Sequence, residues 1–181
     1  MSMDPIILPW RGVWPTLSPD AFVAPGATVI GDVVVGAGSS IWFGCVVRGD
    51  VHEIRIGANT NIQDGTVVHV TKGRFGTYIG DGITIGHKAL IHACTLQDGC
   101  FIGMGATVMD GCVIESGAMV AAGALVPPGK RVPAGELWAG SPAKPKRALT
   151  AEDTAGWPAQ AAHYAELGRT YRADLARRAA E

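Results

Sequence analysis

Residues 96–126 read LQDGCFIGMGATVMDGCVIESGAMVAAGALV, and every sixth residue of that stretch, Leu96, Ile102, Val108, Ile114, Val120 and Val126, is aliphatic. Three residues after each stands a glycine, from Gly99 to Gly129, and four after the first five a small side chain, from Cys100 to Ala124. A period of six matches neither the 3.6 of an α-helix nor the 3.5 of a coiled coil, and glycine at that density costs a helix about 1 kcal/mol per occurrence. The unit is a short strand followed by a tight turn. One such unit cannot bury its aliphatic residue alone, whereas coils stacked about 4.8 Å apart bury a continuous row and satisfy their backbones by parallel pairing. The spacing therefore predicts a mainly β chain built as a solenoid.

The same register extends toward the N-terminus through Val23, Val29, Val35, Ile41 and Val47, then Ile56, Ile62 and Val68, then Ile79, Ile85 and Leu90. All 17 anchors are Val, Ile or Leu, and 14 are followed three residues later by Gly, Asn or Asp, the types that tolerate a positive φ. Cys45, Cys94, Cys100 and Cys112 all occupy the small-residue position, which assigns them to buried corners and not to nucleophilic or metal chemistry. From Phe22 to Gly129 the pattern resembles the hexapeptide-repeat superfamily. That resemblance implies a left-handed parallel β-helix of triangular coils, three hexapeptides to a coil and a little over five coils here, and a homotrimer.

Composition agrees with a repetitive architecture. Glycine is 25 of 181 residues and charged residues only 17 %, against a usual share of about 7 % and about 25 %. Disorder does not fit a chain that is 48 % hydrophobic. With 15 basic against 16 acidic residues, no field exists to hold nucleic acid or an anionic membrane. No apolar run approaches the roughly 18 residues of a membrane span, and Met1 to Trp10 lacks the basic start of a secretory signal. The cytoplasm is the expected compartment.

The chain divides into an N-terminal cap (1–21), the solenoid (22–129), a turn-rich connection (130–149) and a C-terminal helical segment (150–181), all within one structural domain. The connection carries Gly140-Ser141-Pro142-Ala143-Lys144, a segment that recurs in hexapeptide proteins. Thr150 with Asp153 three residues on marks a helix start. Pro158 restarts or kinks that helix, and Tyr164, Leu167, Tyr171 and Leu175 form a stripe expected to dock on the solenoid.

The three turns without Gly, Asn or Asp carry Thr71, Lys88 and Ala93, each within two residues of a histidine: His69, His87 and His92. Local rules fail chiefly at functional or strained sites. One residue after Val68 and two after Leu90, His69 and His92 should stand on one face in adjacent coils, while His87 follows Ile85 on a neighbouring face. Two subunits of a trimer could then converge three imidazoles and leave a fourth position open, the ligand set of a catalytic zinc.

With Arg48 and Asp50 in Val47-Arg48-Gly49-Asp50, Gln63 and Asp64 in Asn61-Ile62-Gln63-Asp64-Gly65, His69, and the pair His87 and His92, the sequence resembles the gamma-class carbonic anhydrases. The resemblance implies a metal held by His69, His87 and His92 and reversible hydration of CO₂ to bicarbonate. Three neutral imidazoles leave the ion its full charge, able to bring the pKa of bound water from 15.7 to about 7 and so to provide a hydroxide for attack on CO₂. Gln63 would hydrogen-bond the reacting oxygen without adding charge, and Arg48, Asp50 and Asp64 would organise the site and its intersubunit contacts. Zn²⁺ is the expected ion; Co²⁺ and Fe²⁺ suit imidazole as well.

The prototype of the class has a glutamate directly after the Arg-x-Asp aspartate, where this chain has Val51, and another on an acidic loop, where residues 70–78 are short and basic. Proton export then falls to Tyr164 or to buffer. His52, Glu53 and His163 read as solvated residues. The competing readings are acyl-CoA transfer or thioester hydrolysis, as in other hexapeptide proteins, and a non-catalytic metal-binding trimer.

Overall fold

The chain winds through three parallel faces in strict rotation. The computed structural model describes residues 4–179, so the first three residues of the expected cap and the last two of the expected helical segment lie outside it. The first face carries Ile6–Leu8, the leading halves of the long strands Thr28–Val35 and Val46–Ile56, then Val67–His69, Leu90–His92, Thr107–Val108 and Leu125–Val126. The second carries Thr16–Leu17, the trailing halves of the same two strands, then Thr77–Ile79, Thr95–Leu96, Val113–Ile114 and Arg131–Val132. On the third, seven parallel rungs run from Phe22–Val23 to Glu136–Gly140, and Ala143–Ala148 folds back antiparallel on the last.

The stack thus exceeds a little over five coils. At both ends the backbone goes on pairing where the glycine-marked hexapeptide has faded, as Ile6–Leu8 does with Thr28–Ile30. Asp32 and Asp50, read from spacing as turn residues, lie instead inside continuous strands that bend from the first face to the second.

All but two of the anchors point inward and are buried, each contributing about 1.5–3 kcal/mol. Val23 lies half-buried near the open end of the stack, and Leu90 faces outward. The buried residue of that rung is Ile91, 0 % exposed and in register with Val68 and Val108. Two adjacent aliphatic residues made the register ambiguous in sequence; the closed interior decides it. The shortened step is therefore Ile91 to Leu96, and Ala93 turns it with a φ of 51°.

The C-terminal segment forms two helices, α1 (Ala151–Thr154) and α2 (Trp157–Ala179). Thr150 caps α1: its hydroxyl accepts from the Asp153 amide, and the Asp153 carboxylate accepts from the Thr150 amide in return. Pro158 is the second residue of α2, where a missing N–H costs nothing. The expected stripe covers the third face: Tyr164 meets Trp42 at 5.4 Å between ring centroids, Tyr171 meets Phe22 and Trp42, and Leu167 and Leu175 pack on the core. Among the described residues no helix is long and apolar enough to cross a membrane.

All four cysteines are free and buried. Burial pushes the Cys45 thiol up to about 11 and those of Cys94 and Cys100 upward as well, which leaves them protonated and inert.

Candidate metal centre

His69 and His92 lie directly opposite each other in adjacent rungs of the first face. In-register side chains start one rung spacing apart, about 4.8 Å, yet His69 Nδ1 and His92 Nε2 approach to 3.2 Å. They do so because each ring is held by a different nitrogen. His69 Nε2 donates to Asp50 Oδ1 at 3.1 Å, and His92 Nδ1 donates to Asp110 Oδ1 at 2.6 Å. An ionised carboxylate only accepts, so the nitrogen facing it carries the proton and the other ring nitrogen of a neutral imidazole presents a lone pair. With those protons so placed, the two lone pairs face each other across 3.2 Å, an arrangement stabilised by whatever electrophile lies between them, a shared proton or a metal ion. Two nitrogens bound at about 2.0–2.1 Å to one tetrahedral ion are separated by roughly 3.3 Å, so the donor set and its spacing fit such a metal.

Electrostatics support ligand duty. Burial holds the His69 pKa below its ordinary value against the opposing pull of Asp50, so protons compete less for its lone pair. Burial alone would raise Asp50, but its bonds with His69 and Arg48 outweigh that and keep it ionised. Arg48 pairs with Asp50 Oδ2 while His69 takes Oδ1, which fixes the carboxylate at both oxygens.

His87 sits in the turn after the third-face strand Thr84–Ile85. Its Nδ1 lies 2.8 Å from Asp64 Oδ2, and its side chain is 39 % exposed. All three histidines therefore have a carboxylate within 3.1 Å of one ring nitrogen, the usual outer support of metal-bound imidazole. Lys88, beside His87, takes a left-handed φ of 59°, which costs a residue with a side chain about 1–2 kcal/mol. Among the described residues no single set of three His, Cys, Asp or Glu side chains is placed to hold one ion. One chain brings His69 and His92 together and displays His87 elsewhere on its surface.

Gln63 is 3 % exposed, and its Nε2 donates to Asn61 Oδ1 at 3.0 Å, while Asn61 Nδ2 donates to Thr84 Oγ1. Tyr164 is half-buried on the solenoid-facing side of α2, where burial, with the Asp64 charge added, raises its hydroxyl pKa. His52 and Glu53 form a surface network in which Glu53 N–H donates to His52 Nδ1 and the Glu53 carboxylate takes Tyr78 and Arg55. His163 is exposed on α2 beside Tyr164.

Asp110 escaped the reading of the sequence. It stands 18 residues after His92, one coil on, and that stacking interval was the available signal; inside a repeat that keeps its glycine it drew no notice. Thr71, noted only as a broken turn, donates its hydroxyl to Asp110 Oδ2.

Residues 93–128 match the bacterial transferase hexapeptide (six repeats) family. The chain is 51 % identical over 168 residues to the mitochondrial gamma carbonic anhydrase 1 of Arabidopsis thaliana, covering 90 % of this chain and 61 % of the plant protein. It thus spans about three fifths of the length of that relative. It is 50 % identical to a probable carbonic anhydrase of Methanocaldococcus jannaschii over 85 % of this chain and 96 % of the archaeal one. Among solved structures, a hexapeptide transferase family protein from Anaplasma phagocytophilum superposes with a TM-score of 0.88 at 48 % identity, over 92 % of this chain and 98 % of that one.

Proposed function

The chain belongs to the gamma carbonic anhydrase family, and on that premise we propose that it catalyses the reversible hydration of CO₂ at a metal held between subunits of a homotrimer. The observation that carries the reading is the carboxylate beside each histidine, with His69 Nδ1 and His92 Nε2 turned toward each other at 3.2 Å. In this proposal His69 Nδ1 and His92 Nε2 of one subunit and His87 Nε2 of its neighbour are the ligands. Zinc is the favoured ion, with cobalt and ferrous iron as alternatives compatible with imidazole. When bound, it supplies Lewis acidity, which brings the pKa of water into the neutral range.

The protein's own groups do the rest. Asp50, Asp64 and Asp110 hold the three rings with their free nitrogens forward. Arg48 fixes Asp50. Gln63, neutral and anchored through Asn61, orients CO₂ and bicarbonate without adding charge that would oppose the reaction. Tyr164 keeps its proton at neutral pH, as an unperturbed phenol does, and burial only moves its pKa further up, so its part is that of a hydrogen-bond donor, and the proton released in hydration leaves to buffer.

Subunit complementation tests the intersubunit arrangement. Separately, His87→Ala and His92→Ala proteins are expected to be inactive. Co-refolded in equal amounts, they should regain roughly one intact site in four, since a mixed trimer holds one interface with all three histidines. No recovery in verified mixed trimers would exclude a shared site. Stopped-flow CO₂ hydration by metal-replete protein tests the reaction itself, and hydration at the uncatalysed rate with full occupancy would overturn it. Hydrolysis of acyl-CoA by the same preparation would favour the second reading, which the likeness to a hexapeptide transferase family structure keeps in play.

A further inference from the structure

We propose that Asp110, braced by Thr71, is the positioning residue that makes His92 present Nε2 to the metal; the inference rests on the metal reading above. Stacked in register, His69 and His92 leave the backbone in the same direction from rungs about 4.8 Å apart. Presenting the same nitrogen, they would hold their donors near that spacing, too far apart for one small ion. They meet at 3.2 Å because one uses Nδ1 and the other Nε2, and the choice is made from outside, by Asp50 on His69 Nε2 and Asp110 on His92 Nδ1.

Asp110 is itself held. Its Oδ2 accepts from the Thr71 hydroxyl, its backbone carbonyl accepts from Gly129 N at 2.8 Å, and the amide of Gly111 donates to Ala93 O at 2.8 Å. The Phe75 ring borders Gly111, and Thr71 and Phe75 pair across the loop that joins Val67–His69 to Thr77–Ile79. That loop thus carries a hydroxyl to the carboxylate that orients His92. This accounts for a threonine at a turn where the repeat favours glycine.

The test uses the trimeric protein loaded with zinc and two measurements that do not depend on turnover: zinc affinity by chelator competition, and the His92 Nδ1–H resonance in histidine-¹⁵N-labelled protein. Asp110→Ala should lower affinity about 10- to 100-fold and let the Nδ1 proton exchange rapidly with water. Asp110→Asn keeps an acceptor at Oδ1, so it should retain the protected proton and part of the affinity. Thr71→Val, which removes only the hydroxyl, should lower affinity by a few-fold. A protected Nδ1–H in Asp110→Ala, or affinity within twofold of the parent, would overturn the proposal. Should Asp110→Ala fail to fold, unchanged affinity in both Asp110→Asn and Thr71→Val would do the same. Zinc binding that depends on Asp110 in a protein that hydrates no CO₂ would sink the functional reading and leave this one standing. A hydratase indifferent to Asp110 would do the reverse.

Discussion

His92→Ala is expected to lower zinc affinity on the order of a hundredfold or more and to bring CO₂ hydration close to the uncatalysed rate at micromolar zinc. Four-ligand structural zinc sites bind with about 10–16 kcal/mol, or roughly 3 kcal/mol per ligand, and each 1.4 kcal/mol is a factor of ten. His92 leaves no substitute behind. Its rung neighbour His69 already supplies one nitrogen, and Asp110, freed of its imidazole partner, still has the Thr71 hydroxyl. The fold should survive, since His92 faces outward between Ile91, which fills the core, and Ala93, which makes the turn. Zinc content by elemental analysis, trimer mass by light scattering and stopped-flow hydration form the set of measurements. His163→Ala, on the exposed surface of α2, is the control expected to change none of them. Stoichiometric tight zinc in His92→Ala would remove His92 from the ligand set and with it the lone-pair argument.

Gly103→Ala is expected to be the more damaging of two superficially equal glycine substitutions. Gly103 follows the anchor Ile102, and an added Cβ would lie 2.3 Å from the backbone nitrogen of Ala122 in the next coil. That coil cannot retreat, because Gly103 N–H donates to Val120 O at 2.8 Å and the rungs above and below hold the same spacing. Overpacking against fixed backbone costs about 3 kcal/mol, or a fall of roughly 6–12 °C in Tm for a chain of this size. Gly123 is a turn glycine with a φ of +67° and nothing within 4 Å of an added Cβ, so Gly123→Ala costs only the left-handed conformation, about 1–2 kcal/mol. Thermal unfolding of the two variants under identical conditions decides the order. Equal losses would show that turn strain, and not coil-to-coil contact, governs both positions.

These two glycines illustrate how far the sequence could be read. Turn glycines were legible because their positive φ recurs at a fixed place in the repeat. Gly103 was not, because what it avoids is an atom from another coil, and no pattern along the chain reports a cross-coil distance. The histidines divide in the same way. Their coincidence with Thr71, Lys88 and Ala93 was visible as broken periodicity, and Lys88 and Ala93 do carry left-handed backbone without glycine. The displacement of the anchor from Leu90 to Ile91 was invisible, since either residue satisfies an aliphatic pattern and only a narrow closed interior chooses between them. Family likeness supplied Arg48, Asp50, Gln63 and Asp64, but neither likeness nor periodicity pointed to Asp110.

By itself, then, the sequence determined a solenoid with its histidines at interrupted turns, because a short repeat writes the same local conformation many times and exceptions stand out against it. Only the tertiary structure decided which nitrogen each imidazole offers. That choice depends on carboxylates brought in from neighbouring coils, Asp50 from 19 residues before His69 and Asp110 from 18 after His92, and hydrogen bonds across a stack form between residues at matching positions on successive coils, not between neighbours in the chain.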